Sequence, residues 1–178
     1  MSLLEASDMS AVWEWYDGSF DRVQISARSK GWTVSGRHGE TRYLIDLDAA
    51  LCCRSLEVSS GSTALSLNRT KAGWLDAEAA LISGSAACVD VDLGWTALTN
   101  TFPIRRLTAA KESKGTFPVI MITASDFEMS VVEQSYTRKD DGWLYQNVES
   151  GVSALLSVDR HGLVIDYPDL CTRKDFDQ

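Results

Sequence analysis

Histidine, proline and basic clusters are all scarce in this chain of 178 residues, and each scarcity removes a class of function. The two histidines, His38 and His161, each neighbour a glycine in a predicted turn, which leaves a histidine-rich metal site without ligands. The four cysteines, Cys52, Cys53, Cys88 and Cys171, contain no C-x-x-C spacing, so neither a zinc knuckle nor a thioredoxin-like redox motif is supported. They read as buried free thiols, and no metal and no cofactor is expected. No run of Lys or Arg exceeds two residues, and 25 acidic against 17 basic residues give a net charge of −8. That excludes the electrostatic footprint of a nucleic-acid binder, and an anionic membrane surface would repel the chain. The opening residues MSLLEASDMSAVW carry no basic n-region, and nowhere do 18 apolar residues run together. No integral membrane segment is therefore expected, and the reading is a cytoplasmic protein. No G-x-S-x-G, P-loop or G-x-G-x-x-G occurs, so no motif fixes a reaction. No Pro-rich or Gly/Ser-rich linker divides the chain, which predicts a single domain over 1–178.

What is present is alternation. Period-2 patterning recurs over 12–16, 22–27, 32–35, 41–47, 55–58, 64–67 and 89–93, then over 119–123, 129–137, 143–148, 153–158 and 163–167. Turn signals such as Asp17-Gly18, Lys30-Gly31, His38-Gly39 and Asp159-Arg160-His161-Gly162 separate these segments at spacings that suit an antiparallel meander rather than β-α-β crossovers. A faint internal echo links Gly31-Trp32, a Gly39 turn and "YLIDLD" with Gly142-Trp143, a Gly151 turn and "LLSVD". It suggests two β-rich halves flanking whatever lies near residues 99–110.

That region predicts the one helix, from Thr99 to about Ala110, with Thr99, Asn100 or Thr101 as N-cap and Pro103 in the first turn, where its missing N–H costs least. At about 100° per residue, Phe102 points away from Ile104 and Leu107, leaving no wide polar face. The helix should be mostly enclosed.

Enclosure makes the adjacent Arg105 and Arg106 a problem, because an isolated charge in a dry interior is very costly. Just upstream, Asp90 and Asp92 alternate with Val89, Val91 and Leu93, so both carboxylates project from one strand face. The residues thus permit two readings. In one, an Asp/Arg network pins strand to helix. In the other, an arginine reaches a cavity and binds a ligand headgroup. The six tryptophans suit a β-rich core, and their faces also suit sugar rings or acyl chains.

The stretch "CVDVDLGWTALTNTFPIRRL", with "TRYLIDLD" followed by Arg54, "GWLD", "QSYTR" and "VDRHGLVIDYPDL", resembles a bacterial glycolipid-binding family first defined as a domain of unknown function. Asp90, Asp92, Thr99, Asn100, Thr101, Pro103, Arg105 and Arg106 match its pattern, whereas Ala87, Ala97 and Phe102 depart from it. The resemblance implies a mainly β fold, a spiral β-roll in which a long antiparallel sheet wraps around a single central α-helix. It also implies non-catalytic binding of a glycolipid or other amphiphile, expected in an apolar cavity between sheet and helix with a polar mouth. Two alternatives stay open at this point. One is an enzyme of lipid or sugar metabolism using Asp90 or Asp92 as acid/base, and the other is a protein-interaction module without a cavity.

Overall fold

Alternating apolar and polar residues build nearly all of the structure. The computed structural model describes residues 8–174. The residues before Asp8, on which the expectation of a missing leader rests, lie outside them. A first run of strands comprises β1 (Met9–Trp15), β2 (Phe20–Arg28), β3 (Gly31–His38), β4 (Thr41–Asp48), β5 (Cys53–Ser60), β6 (Thr63–Thr70) and β7 (Gly73–Leu75). After β8 (Asp90–Leu93) comes the helix α1 (Thr101–Ala110), then β9 (Lys114–Ile122), β10 (Met129–Lys139), β11 (Gly142–Asn147), β12 (Ser153–Val158), β13 (Val164–Tyr167) and β14 (Cys171–Arg173). All fourteen strands belong to one sheet, in the order β7-β6-β5-β4-β3-β2-β1-β14-β13-β12-β11-β10-β9-β8. The first and last strands, β1 and β14, therefore meet in the middle of the sheet, and its two edges, β7 and β8, are consecutive strands joined by the 76–89 loop.

The sheet curls around the helix. Edge strand β8 comes against β5, where the Cys53 N–H donates to the Val89 carbonyl at 2.8 Å, and the Trp74 indole donates to the Cys88 carbonyl at 2.9 Å. The inward residues of both halves form one core with Phe102, Ile104 and Leu107 of α1.

One part of the predicted topology needs correction. Every neighbouring pair is antiparallel except β8 with β9, which run parallel in the register Asp90↔Val119 to Leu93↔Ile122. A parallel pair requires a crossover, and α1 supplies it. The motif stretch is thus a β-α-β unit inside an otherwise antiparallel meander.

The helix is led in by a 3-10 turn over Leu98–Asn100 and ends at Lys111, a left-handed residue whose N–H bonds the Leu107 and Thr108 carbonyls. Its cap differs from expectation. Asn100 occupies the N-cap position without a side-chain cap bond, because its amide is used elsewhere. Residues 101–104 are buried, Arg105 and Arg106 are half-buried, and 108–110 are exposed. The helix, expected to be mostly enclosed, is so through Leu107, and its last turn is exposed.

Strands β3, β7 and β11 all begin Gly-Trp after a tight turn, and Trp32, Trp74 and Trp143 all turn into the core at 4%, 0% and 1% exposure. Gly31 and Gly142 have φ of +149° and +153°. A Cβ on Gly31 would sit 1.9 Å from the Leu47 carbonyl oxygen, and one on Gly142 would sit 2.1 Å from that of Leu156. Glycine is what lets each tryptophan strand lie this close to its neighbour.

Candidate functional site

The two helix arginines go to different places. Arg106 forms a fork with the Asp90 carboxylate, with Nη1 to Oδ1 at 2.9 Å and Nη2 on Oδ2, and its Nη1 also donates to the Leu51 carbonyl at 2.8 Å. The Phe117 ring lies 5.5 Å from the guanidinium. Asp90 is only 1% exposed, and burial pushes its carboxyl upward from the usual range while the Arg106 charge pulls it back. Arg105 instead donates to the Arg160 carbonyl at 3.0 Å, at the rim of the roll, and its stem packs where a Cβ on Gly162 would fall.

Those carbonyls belong to matching turns, which is where the internal echo becomes physical. After β4, Asp48 Oδ1 accepts from the N–H groups of Ala50 and Cys52, and after β12, Asp159 Oδ1 accepts from those of His161 and Leu163. The Asp48 carbonyl accepts from Leu51 (φ +60°) and the Asp159 carbonyl from Gly162 (φ +77°). Each turn follows a register shift, at Asp46/Leu47 and at Ser157/Val158. Arg69 pairs with Asp48 and Arg173 with Asp159. One helix thus uses neighbouring arginines to hold the corresponding corner of each half.

Among the described residues, no arginine is recorded on Asp92. Its carboxylate accepts from Thr99 Oγ1 at 2.9 Å and from Gln134 Nε2 at 2.5 Å, and Gln134 Nε2 also meets Tyr145 Oη at 3.1 Å. Tyr136 Oη donates to Asn100 Oδ1 at 2.9 Å. With burial dominant and no cation beside it, the Asp92 carboxyl is pushed up. Thr101 Oγ1 is buried and has no hydrogen-bond partner among the described residues. The predicted Asp/Arg cluster is therefore two clusters: Asp90 with Arg106, and Asp92 with Thr99 and Gln134. Gln134, Tyr136 and Tyr145 went unrecognised in the sequence. Their signal was present, since the alternation of "QSYTR" turns a glutamine and a tyrosine inward together.

The cavity beside this network, lined by Trp15, Asp92, Asn100, Tyr145 and Tyr167 among others, holds about 80 Å³. That has room for a few waters and is far below the roughly 300–1,000 Å³ of a small-molecule site. Where a lipid cavity was expected, between sheet and helix, Trp13, Trp74, Phe102 and Ile104 fill the space at 0–1% exposure.

A third buried carboxylate, Asp21, takes the inward place next to Val23 and Ile25 on β2. Both its oxygens accept from Tyr43 Oη, at 2.9 and 3.1 Å, and Tyr43 Oη also lies 3.1 Å from Thr96 Oγ1. Burial lifts its pKa from 3.8 to about 6 against these hydrogen bonds and the nearby His38. The folded chain keeps this proton to about pH 6, whereas the unfolded chain releases it near 3.8, so stability falls as pH rises between those values. The loss should reach about 3 kcal/mol by pH 7. Asp21→Asn should remove that part of the slope in urea melts at pH 4 and pH 7, leaving the same-signed contributions of Asp90 and Asp92. Parallel stability curves for the variant and the natural chain would refute the assignment.

A concavity of ligand size lies elsewhere, over β1 to β6 on the outer face of the sheet, with a volume of about 960 Å³. Two exposed cross-strand rows line it. One carries Val12, Arg22, Arg37 and Arg42, and the other includes Leu44 and Glu57. The intervening row turns inward at Gly36, where a Cβ would strike the Tyr43 ring at 1.9 Å. No lining residue comes from α1.

No helix of the described residues is long and apolar enough to cross a membrane. No curated protein matches the chain. A crystal structure of a DUF1089 family protein from Pseudomonas aeruginosa is similar, with TM-score 0.65 and 30% identity over 92% of this chain and 90% of that one. Residues 11–173 match the family model described as "Putative glycolipid-binding". With nearly the whole sheet and its helix inside that match, the chain belongs to this glycolipid-binding family.

Proposed function

We propose that the protein binds an amphiphile without catalysis, a glycolipid being the ligand that its family's description favours, and that the ligand lies in the groove over β1 to β6. The observation that carries this reading is the groove's volume, about 960 Å³, at the upper end of the range for small-molecule sites. Val12, Leu44 and the aliphatic stems of Arg22, Arg37 and Arg42 offer apolar surface to a chain, and the charged heads offer a polar end. A non-catalytic role fits Asp90, whose carboxylate is already engaged by Arg106, and Asp92, whose two oxygens accept from Thr99 and Gln134. Unpaired Cys52, Cys53, Cys88 and Cys171 suit a reducing compartment, so the cytoplasm is the proposed place of action.

Delipidated protein incubated with a two-chain glycolipid should give a one-to-one complex in native mass spectrometry, and Leu44→Glu, which places a charge in the groove, should lose it. Failure of the natural chain to take up the lipid, or undiminished uptake by the variant, would overturn the reading.

A further inference from the structure

An unbroken basic row is unexpected on a chain of net charge −8. Register places Arg22 directly opposite Arg37, and Arg37 directly opposite Arg42, on the exposed faces of three adjacent strands. Opposed side chains in such a row have Cβ atoms about 4.5–5.5 Å apart, and like charges so placed repel one another. Among the described residues, no carboxylate pairs with any of the three. Arg22 lies over the Phe20 ring at 5.1 Å, and Arg37 Nε donates to the Gly39 carbonyl at 2.9 Å. Neither contact supplies negative charge. Glu57 is the one acidic residue lining the groove, so three cations against one anion leave it net positive.

We infer that the Arg22, Arg37 and Arg42 row binds the phosphate of a lipid headgroup, with the acyl chain lying toward Leu44. This rests on the amphiphile reading above and adds the headgroup's charge and chemistry. Guanidinium forks pair with phosphate oxygens two at a time, and three in a line can hold one phosphate on more than one side. A bound phosphate would also relieve the repulsion along the row.

The test is calorimetric titration with dihexanoyl phosphatidic acid below its micelle concentration, with dihexanoyl phosphatidylcholine and inorganic phosphate as comparisons. The phosphatidic acid should bind at least about tenfold more tightly than either, the difference one charge-assisted hydrogen bond can give. Arg37→Gln should weaken it about tenfold, and the triple Arg22→Gln, Arg37→Gln, Arg42→Gln variant about a hundredfold or more. Arg28→Gln, outside the groove, should change nothing. Circular dichroism should show every variant folded, since the substituted side chains are exposed. Equal binding of the two lipids, unmoved by the arginine variants, would overturn this inference and leave the amphiphile reading standing. Inorganic phosphate binding as tightly as phosphatidic acid would make the row a free-anion site and overturn the lipid assignment. If neither lipid binds, this inference falls, and the glycolipid uptake described above decides the amphiphile reading separately.

Discussion

Arg106→Ala should destabilise the protein by about 3–5 kcal/mol, because it strands the Asp90 carboxylate without its cation in a site that water does not reach. Asp90 is 1% exposed, and among the described residues Arg106 is the cation that meets its carboxylate. Removing Arg106 also frees the Leu51 carbonyl. Arg105→Ala should cost less than Arg106→Ala, because its bond to the Arg160 carbonyl lies at the rim and its loss strands no buried carboxylate among the described residues. The Arg106→Ala loss should shrink as pH falls, since protonating Asp90 removes the stranded charge. In a double-mutant cycle, Asp90→Ala with Arg106→Ala should fall short of the sum of the singles by about 1–3 kcal/mol. Urea melts at pH 7 and pH 4.5 would read all of this. An Arg106→Ala variant within about 0.5 kcal/mol of the natural chain, the range of an ordinary surface change, would contradict it.

Gly31→Ala and Gly142→Ala should be comparably severe, for a reason that has nothing to do with charge. Holding a non-glycine residue in this sparsely populated backbone region costs about 1–3 kcal/mol. The new methyl would also fall 1.9 Å from the Leu47 carbonyl oxygen in one case and 2.1 Å from that of Leu156 in the other, which forces neighbouring strands apart. Overpacking of that kind adds about 1–3 kcal/mol, so the total is roughly 2–6 kcal/mol. Gly39→Ala is the control, as its Cβ would meet nothing within 4 Å, and only the strain of φ +58° remains. If Gly31→Ala and Gly39→Ala melt alike, the close approach of these strands is not what demands glycine.

Much of this fold could be read in the chain because antiparallel strands leave a local record. The alternation over 153–158 coincides with β12 to the residue, and that of most other strands is displaced from the observed ends by a few positions. β7 and β14 were missed, since three residues are too few to show alternation. The parallel pairing of β8 with β9 was missed for a different reason: the hydrophobic pattern of a strand does not record its partner's direction. The same distinction applies to the sites. Asp90 and Arg106 stand sixteen positions apart and could be suspected together, but Asp92 and Gln134 are forty-two apart and meet only through the sheet. Arg22, Arg37 and Arg42 read as scattered surface charges until register puts them side by side.

The seam between β1 and β14 sets an order of events for the growing chain. Residues of β1 to β7 pair with near neighbours in sequence, as do those of β8 to β14, but Trp13↔Arg173, Glu14↔Thr172 and Trp15↔Cys171 join the first strand to the last. The Trp13 indole waits equally long for the Val164 carbonyl, and the Val12 carbonyl for the Lys174 N–H. On the ribosome, one side of β1 must therefore stay unpaired until β14 has been made. An open strand edge is a template for joining another chain. This architecture places that exposure at the centre of the finished sheet, so termination before β14 would leave the sheet unpaired along its midline.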